Sequence, residues 1–322
     1  MTTDDFIREW QSESQRVMLR TSGSTGTPKT IWVEKSRMRA SARMTCDFLG
    51  LRAGQNALLC LSTDYIAGKM MVVRAMERGL HLISVPPSNN PLDAPQLSSL
   101  NVQISLTAMV PSQVYCSIDH PMLRRIENVI IGGGAIPPEL EQTLRLFPNA
   151  IWSSYGMTET LSHIALRRVS GSSANDCYTP LPGVGISLSG EGCLCIDAPH
   201  LCAERLLTND IAEINRDGSF RIIGRRDNVI QSGGLKLHIE QMEERLRPFM
   251  PDSAGHPTFC VTSRPSAKFG EEAVLLTAIP VPQIGALLHD LYIKDVIPVE
   301  AIPLTPTGKI DRAAAKRLAK NG

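Results

Sequence analysis

Segments with helical and strand-like spacing alternate through the first half of the chain, and this alternation limits the fold more than any other feature. The helical segments are 36–50, 67–79 and 137–147. The strand-like apolar runs are 56–62, 80–85, 128–131 and 150–156. Strands that alternate with helices usually lie parallel in one sheet. The sequence therefore predicts an α/β fold with a mostly parallel sheet in a large N-terminal domain.

The pattern of the sequence changes near residue 180. From there to about 226 it contains short strands separated by Gly and Asp turns, with a hairpin turn at 215–220. A compact stretch of helices and strands follows, and it ends in a basic helix at 311–320. We therefore predict a domain at 1–226 that includes a β-rich subdomain at about 180–226, followed by a small α+β domain at 227–322.

The composition excludes several classes of protein. The 322 residues carry a net charge of +1 and only 5% aromatic residues, which argues against a nucleic-acid partner. No apolar run reaches the roughly 20 residues of a membrane span, and the acidic start lacks a secretory signal, so we expect a cytoplasmic protein. The eight cysteines include no CxxC pair, and we expect them to be reduced and buried rather than zinc ligands.

Residues 19–30, LRTSGSTGTPKT, combine two glycines, six hydroxyl side chains and Lys29. The segment departs from a Walker A loop because Pro28 precedes Lys29, and because a β-branched stretch, not a helix, follows. Glycines that admit a close ligand, hydroxyl donors and one ammonium suit a phosphate cradle between two strands. A solvated linker has the same composition, and the loop alone leaves both possibilities open.

Six segments in order resemble the adenylate-forming superfamily, which includes acyl-CoA and aryl-CoA ligases, luciferases and peptide-synthetase adenylation domains. They are the loop at 19–30, GGGAIP at 132–137, SSYGMTET at 153–160, LLTNDIAEI at 206–214, GRRDNVIQSGGLKLHIEQME at 224–243 and PLTPTGKIDR at 303–312. The fourth departs from the family pattern, since Asn209 replaces the usual glycine before Asp210. Six ordered matches over nearly the whole chain favour the phosphate cradle over the linker.

The resemblance implies where ATP or AMP binds. The expected contacts are Thr21, Ser22, Gly23, Ser24, Thr25, Gly26, Thr27, Lys29, Gly132, Gly133, Gly134, Ala135, Ser154, Tyr155, Gly156, Met157, Thr158, Asp210 and Arg225. Tyr155 would stack on adenine, Asp210 would accept the ribose hydroxyls, and Glu159 would hold Mg²⁺. Each also has an ordinary structural reading: a buried aromatic for Tyr155, a turn residue for Asp210, and a helix cap around Thr158.

The resemblance also assigns roles in the predicted C-terminal domain. Lys309 would be catalytic together with Lys29, Thr158 and Glu159, although a lone lysine before a helix is more often simply solvated. Asp227 would be the hinge about which this domain rotates between two half-reactions. Gly233, Gly234 and Lys236 would lie on the side where CoA enters.

The implied reaction joins a carboxylic acid to CoA with ATP and Mg²⁺, through an acyl-adenylate. The family usually carries well over a hundred residues before the phosphate loop, so we expect this chain to be shortened at its N-terminus. Its segments look most like those of compact o-succinylbenzoate–CoA ligases of menaquinone biosynthesis, which implies an aryl substrate with two carboxylates. Lys69 or His163 would bind the second carboxylate; Arg74 could also do so, but its position is more often that of a solvated helix residue.

Other functions stay open from the sequence. The chain could activate another aryl acid or load a carrier protein, or it could be a non-catalytic nucleotide-binding relative. The presence of Lys29, Glu159, Asp210 and Lys309 together argues against the last of these. The sequence does not indicate an oligomeric state.

Overall fold

The structure is a computed structural model that describes residues 1–20, 30–98, 100, 102–253, 256–305 and 309–321, without the side chains of residues 20 and 321. The chain divides into two compact units. Unit 1 comprises Met1–Ser187, Cys195–Leu207 and Ile214–Arg221, and unit 2 comprises Leu188–Leu194, Thr208–Glu213 and Ile222–Gly322. The domain bounds predicted at 226 and 227 stay a prediction.

The first part of the chain contains the alternating elements that the sequence predicts. The helices are α1 (Thr3–Gln11), α2 (Lys35–Phe48), α3 (Ile66–Arg78), α4 (Pro95–Ser98), α5 (Pro111–Cys116) and α6 (Pro138–Arg145). The strands are β1 (Arg16–Arg20), β2 (Thr30–Glu34), β3 (Asn56–Leu59), β4 (His81–Ser84), β5 (Ile104–Met109), β6 (Asn128–Ile131), β7 (Ala150–Gly156), β8 (His163–Arg168) and β9 (Thr179–Pro180).

In the described residues, one sheet has the strand order β4-β3-β5-β6-β7-β8-β9. The strands from β4 to β7 are parallel, and β8 and β9 are antiparallel to their neighbours. Successive strand residues enter different apolar clusters, as Leu58 and Leu59 do, because side chains of a strand alternate between its faces. Both faces are therefore covered, and the predicted α/β fold is confirmed as a mixed rather than wholly parallel sheet.

The ends of two helices carry residues that suit those positions, as the sequence indicates. Helix α3 ends at Gly79, which has a φ of 64° and donates its N–H to the carbonyl of Ala75. This left-handed conformation strains other residues but not glycine. Helix α6 begins at Pro138 and carries Glu139 and Glu141 in its first turn, which suits both the free N–H groups and the helix dipole.

The β-rich segment predicted near 180–226 forms a four-stranded sheet in the order β10 (Gly185–Leu188), β11 (Cys193–Asp197), β12 (Leu206–Ile214) and β13 (Phe220–Arg225). The predicted turn at 215–220 is confirmed: Asn215 donates its N–H to the carbonyl of Ser219, and Gly218 has a φ of 83°.

The C-terminal stretch forms a second α+β core within unit 2. Its elements are β14 (Val229–Ser232), β15 (Leu235–His238), α7 (Ile239–Leu246), β16 (Phe259–Ser266), β17 (Gly270–Thr277), α8 (Gly285–Asp290), β18 (Ile293–Pro298) and α9 (Arg312–Asn321). The strand order is β15-β14-β17-β16, with β18 parallel to β17. Helix α7 packs on one face with Val261, and α9 packs on the other with Cys260.

Two expectations from composition can be compared with the described residues. No helix there is long and apolar enough to cross a membrane, and no group of three His, Cys, Asp or Glu residues is arranged to hold a metal ion. All eight cysteines are free thiols. The expectation that they are buried is wrong for Cys116, which is exposed on α5, and Cys177 is only half-buried.

Candidate active site

The glycine turn after β6 and the end of β7 lie side by side in unit 1. The two strands are parallel neighbours, with Ile131 paired to Ser153, and the Ser154 hydroxyl donates to the carbonyl of Ile131 over 2.9 Å. A Cβ atom at Gly132 would lie 2.7 Å from that hydroxyl oxygen, and Gly133 has a φ of 85°. The first two glycines are therefore required by close approach and by backbone conformation.

Tyr155 and Gly156 are the last two residues of β7. A Cβ atom at Gly156 would lie 2.3 Å from the carbonyl oxygen of Ser162, so this position also excludes any larger residue. The ring of Tyr155 contacts Phe220 edge-on, with 5.3 Å between ring centroids, and lies 5.8 Å from Tyr178. Tyr155 is thus half-buried in an aromatic cluster, and its predicted stacking on adenine stays a prediction.

Thr158 and Glu159 occupy one turn of 3-10 helix directly after β7, at the carboxyl end of the parallel strands where open α/β sheets bind ligands. Both line a cavity of about 270 Å³ in unit 1 together with Arg16, Glu34 and Arg37. Glu159 is exposed, and within the described part of the chain its carboxylate has no hydrogen bond or ion pair. An exposed, unengaged carboxylate fits the predicted role of an oxygen ligand for Mg²⁺.

The turn at 158–161 is fixed by a residue that the sequence analysis did not single out. The Thr160 hydroxyl accepts the N–H of Met157 at 3.0 Å and lies 2.7 Å from the carbonyl oxygen of Ser162. Leu161 is buried and has a φ of 67°, a conformation that non-glycine residues rarely adopt. Strained backbone of this kind concentrates at functional sites, which supports the location inferred from the motif.

His163 belongs to a buried chain of polar groups between α2, α3 and β8. Its Nε2 atom lies 2.9 Å from the Thr45 hydroxyl, which in turn lies 3.1 Å from the carbonyl of Ser41. Because the Thr45 hydroxyl donates to that carbonyl, His163 Nε2 is the donor to the Thr45 oxygen. Burial, followed by the charge of Arg74, holds the pKa of His163 well below its usual range.

Arg74 is the residue whose environment differs most from expectation. It was predicted to be solvated, but it is 2% exposed, because every side of the middle of α3 packs against the core. Its Nη2 donates to the Ser162 hydroxyl at 2.6 Å and its Nη1 to the Met71 thioether at 3.9 Å. Its Nε has no partner in the described structure, and burial lowers the pKa of the guanidinium to about 10.

Lys69, one turn earlier on α3, is also buried but has partners. Its ammonium donates to the carbonyl of Met18 at 2.9 Å and lies 3.9 Å from a carboxylate oxygen of Glu9 and 5.0 Å from the ring centroid of Phe6. These contacts tie α3 to α1 and β1. The predicted role of Lys69 in binding a substrate carboxylate stays a prediction.

In unit 2, Asp210 and Arg225 form an ion pair, with 3.0 Å between Oδ1 and Nη1. Arg225 also contacts Asp227 at 2.9 Å, and Asp227 accepts a hydrogen bond from Asn209 at 3.2 Å. Asn209, which departs from the family pattern, therefore links β12 to the predicted hinge residue. The hydrogen bond gives the Asn209 side chain a partner at a position where the family usually has glycine. The sequence pattern alone did not predict this hydrogen bond.

Lys309 lies near this ion pair in the same unit. Although it is exposed, partial desolvation lowers the pKa of its ammonium, the charge of Arg225 lowers it further, and Asp210 opposes both. Residues about one hundred positions apart in sequence thus interact electrostatically. Lys309 is therefore exposed but not electrostatically isolated, and its catalytic role stays a prediction.

The glycine hairpin joins β14 to β15 by a two-residue turn, with Ser232 paired to Leu235. Gly233 and Gly234 have φ values of 57° and 85°, which the twist of such a turn requires. Gly233 also donates its N–H to the carbonyl of Phe269 at 2.9 Å, and Lys236 is exposed on β15.

The phosphate loop belongs to the part of the chain that the structure does not describe. The predicted contacts Thr21, Ser22, Gly23, Ser24, Thr25, Gly26, Thr27 and Lys29 therefore lie outside the described residues. The flanking strands β1 and β2 are antiparallel, with Arg20 paired to Thr30. The loop thus connects two strands, as predicted, and does not lead into a helix.

The profile of the family described as AMP-binding enzyme matches residues 5–200. The chain belongs to this family. It is 33% identical to an AMP-forming acyl-CoA synthetase/AMP-acid ligase II-like protein from Dyadobacter fermentans, whose structure it matches with a TM-score of 0.64 over 96% of this chain and 91% of that one. The match confirms the resemblance to adenylate-forming enzymes on which the assignments above rest.

Among curated proteins, the chain is similar to the 2-succinylbenzoate–CoA ligase of Lactococcus lactis, with 22% identity over 96% of this chain and 72% of that protein. It shares the fold of the Bacillus subtilis o-succinylbenzoate coenzyme A synthetase solved with ATP and magnesium ion, with a TM-score of 0.74 and 20% identity over 92% of this chain and 68% of that one. The chain thus spans 72% and 68% of these two relatives, and an N-terminal shortening stays a prediction.

Proposed function

We propose that this protein is an ATP-dependent acid–CoA ligase that activates an aryl carboxylate bearing a second carboxylate, with o-succinylbenzoate as the preferred substrate. The grouping of Asp210, Arg225 and Lys309 in unit 2 is the observation that carries the proposal. It combines an acceptor for hydroxyl groups with two cations suited to phosphate, which is the chemistry that a ribose phosphate requires. The similarity to 2-succinylbenzoate–CoA ligases supports the choice of acid.

The proposed reaction has two steps. A substrate carboxylate oxygen bonds to the α-phosphorus of ATP and pyrophosphate leaves, giving an acyl-adenylate. The CoA thiol sulfur then bonds to the acyl carbon and AMP leaves. Neither step uses a covalent protein nucleophile, so catalysis depends on holding the reacting atoms and on neutralising developing oxygen charge.

Each unit contributes its own groups to the proposal. In unit 1, Thr158 would donate to a phosphate oxygen, the close-packed glycines would admit the adenine ring, and Glu159 would hold Mg²⁺. A bound Mg²⁺ would neutralise phosphate charge. In unit 2, Asp210 would accept from ribose hydroxyls while Arg225 and Lys309 would neutralise phosphate oxygens. We propose Asp227 as the hinge, and Gly233, Gly234 and Lys236 as residues on the CoA side.

The second carboxylate of the substrate needs a cationic partner in unit 1. Of the three candidates in the sequence, Lys69 is bonded to Met18, and burial lowers the pKa of His163, which disfavours its cationic form. We therefore propose Arg74, a guanidinium that no described carboxylate neutralises and whose Nε lacks a hydrogen-bond partner there. Guanidinium groups bind carboxylates through two parallel hydrogen bonds, which would relieve this cost of burial.

Product analysis with a panel of aryl mono-acids and diacids tests the proposal. With ATP and Mg²⁺, a matching acid should release pyrophosphate, and added CoA should yield the thioester and AMP in equal amounts. Thioester formation only on a phosphopantetheine-bearing carrier protein would instead identify a carrier-loading enzyme. If ATP binds but no acid releases pyrophosphate, the protein is a nucleotide-binding relative and the proposed ligase activity is wrong.

Two glycine variants provide a matched pair for the adenine turn. Gly132→Ala should impair ATP-dependent adenylate formation, because its methyl group would meet the Ser154 hydroxyl oxygen at 2.7 Å. Gly285→Ala on α8, outside the predicted nucleotide contacts, meets no atom within 4 Å and serves as the control for an added methyl group. Loss of activity only in the second variant would contradict the assigned geometry.

A further inference from the structure

Lys309 lies on one leg of a short hairpin whose two legs are hydrogen-bonded to each other. Thr305 donates its N–H to the carbonyl of Lys309 at 2.7 Å, and Asp311 donates to the carbonyl of Pro303 at 2.8 Å. Leu304 and Ile310 form an antiparallel bridge between them. Whatever fixes one leg of this hairpin therefore also fixes the backbone of Lys309.

Arg312, the residue that follows the second leg, forms an ion pair with a buried glutamate. Arg312 donates from Nη1 to Oε1 of Glu243 at 2.6 Å and from Nη2 to Oε2 at 2.7 Å, a two-pronged arrangement. Nη1 also donates to the carbonyl of Val261 at 3.1 Å, and Oε1 of Glu243 accepts the N–H of Val261 at 2.8 Å. Glu243 is 6% exposed.

This ion pair gives the start of α9 a directional contact, in addition to the more exposed ion pair that Lys316 on α9 forms with Glu271 at 2.7 Å. Helix α9 faces β16 with Ala315 and Ala319, both fully buried. Methyl groups give a smooth surface along which a helix can shift at little cost, whereas a bidentate guanidinium–carboxylate pair fixes both position and orientation. The contact of Arg312 with Val261 then sets the first turn of α9 against β16.

The same pair reaches toward the glycine hairpin. Glu243 lies on α7, which begins at Ile239 directly after β15, the second strand of that hairpin. The carboxylate of Glu243 therefore connects the helix after the glycine hairpin, the strand β16 and the end of the lysine hairpin. Within unit 2, this charge pair joins α7 and the end of the lysine hairpin to β16.

We propose that Glu243 and Arg312 are positioning residues that hold Lys309 in place for adenylate formation. The proposal rests on the proposed ligase function, in which Lys309 neutralises a phosphate oxygen. Neither residue needs to touch a substrate. Their loss should displace Lys309 and leave its chemical identity unchanged, so the first half-reaction should suffer more than the second.

The kinetic test uses the full chain with two variants. Arg312→Lys shortens the cationic partner of the ion pair, and Glu243→Gln removes the charge of the other partner at similar size. Single-turnover adenylate formation should slow by about 10- to 10²-fold, because displacement of a catalytic group by about 1 Å has effects of this size. Thioester formation from pre-made acyl-adenylate should stay within about 2-fold of wild type. Equal losses in both half-reactions would overturn the proposal, because they would indicate general destabilisation.

The matched control is Arg247→Lys. Arg247 in the same unit contacts both carboxylate oxygens of Asp252 at 3.1 Å. It should leave both half-reactions unchanged. If it slows adenylate formation as much as Arg312→Lys does, the effect belongs to unit 2 as a whole and the proposal fails.

Hydrogen–deuterium exchange gives a second readout that needs no activity. Peptides that contain Thr305, Lys309 and Asp311 should exchange faster in Arg312→Lys and Glu243→Gln than in wild type and in Arg247→Lys. If wild type forms no adenylate from any acid, the proposed ligase function is wrong. The exchange rates alone then test whether the ion pair positions Lys309. Unchanged exchange in this hairpin would overturn the positioning role, whatever the activity of the wild type.

Discussion

Two arginines, the buried Arg74 in unit 1 and the half-buried Arg312 in unit 2, differ in the partners that the protein gives to their charges. Arg312 forms a bidentate ion pair with Glu243, and although burial opposes its charge, the hydrogen bonds and charge of Glu243 raise its pKa. Arg74 has only a hydroxyl and a thioether as described partners, and burial lowers its pKa to about 10. A buried cation without a carboxylate is costly to the fold.

The contrast supports the proposal that Arg312 serves the structure and Arg74 a ligand. The charge of Arg312 is satisfied before any substrate binds, so its contribution is to the position of the elements it joins. The charge of Arg74 is not matched by a carboxylate in the described structure, so an anionic substrate group would gain the most by binding there.

Replacement of each arginine by methionine should change stability unequally. Arg312→Met leaves the buried Glu243 carboxylate without its cation and should lower the free energy of unfolding by about 3–5 kcal/mol. Arg74→Met removes a buried charge that lacks a carboxylate and should be neutral or stabilising. Urea denaturation of the ligand-free proteins measures both. Equal losses would show that Arg74 is as well satisfied as Arg312.

Lys309→Ala should separate the two half-reactions. Removal of a positioned charge should slow adenylate formation by a factor on the order of 10² or more. It should have little effect on thioester formation from pre-made acyl-adenylate. Single-turnover rates for each half-reaction, with the exposed Lys320→Ala on α9 as control, make the comparison. A uniform loss in both halves would reject a distinct first-step role for this residue and for the hairpin that carries it.

The neighbourhood of Arg74 should also make stability depend on pH. The unfolded chain protonates His163 near pH ~6.5, but the folded chain resists protonation because the pKa of His163 is lowered. Below that pH the unfolded state binds an extra proton, so the free energy of unfolding should fall by up to about 1.4 kcal/mol per pH unit. His163→Gln should remove this slope, and the exposed His81→Gln should preserve it. A slope that persists in His163→Gln assigns it to other groups.

The sequence predicted the α/β scaffold well where local signals and packing agree. Gly79 ends α3 as expected, and β7 spans the predicted 150–156. The sequence did not predict the strand β8 or the helix α1. No turn signal precedes β8, and α1 begins with a capping box at Thr2 in a segment whose acidic charge was its most visible feature. Turn chemistry was recognised better than short amphipathic elements.

The sequence predicted the residues of the site only where they belong to a recognisable motif. Thr158 and Glu159 lie at the strand end that their pattern indicates. Arg74 was misjudged because a helix that is apolar on every side gives a charged residue no solvent-facing position, which periodicity does not reveal. The bond from Asn209 to Asp227 and the ion pair of Arg312 with Glu243 join distant segments, and only tertiary structure brings such partners together.

The ratio of kcat/KM for an aryl diacid to that for its mono-acid analogue, measured in wild type and Arg74→Met, tests the central claim most directly. If Arg74 binds the second carboxylate, wild type should prefer the diacid by about 10- to 10²-fold, the size of one charge-assisted hydrogen-bond pair. Arg74→Met should lose that preference while its activity on the mono-acid stays near wild type. An unchanged ratio in Arg74→Met, or an equal fall in activity on both acids, would contradict the account.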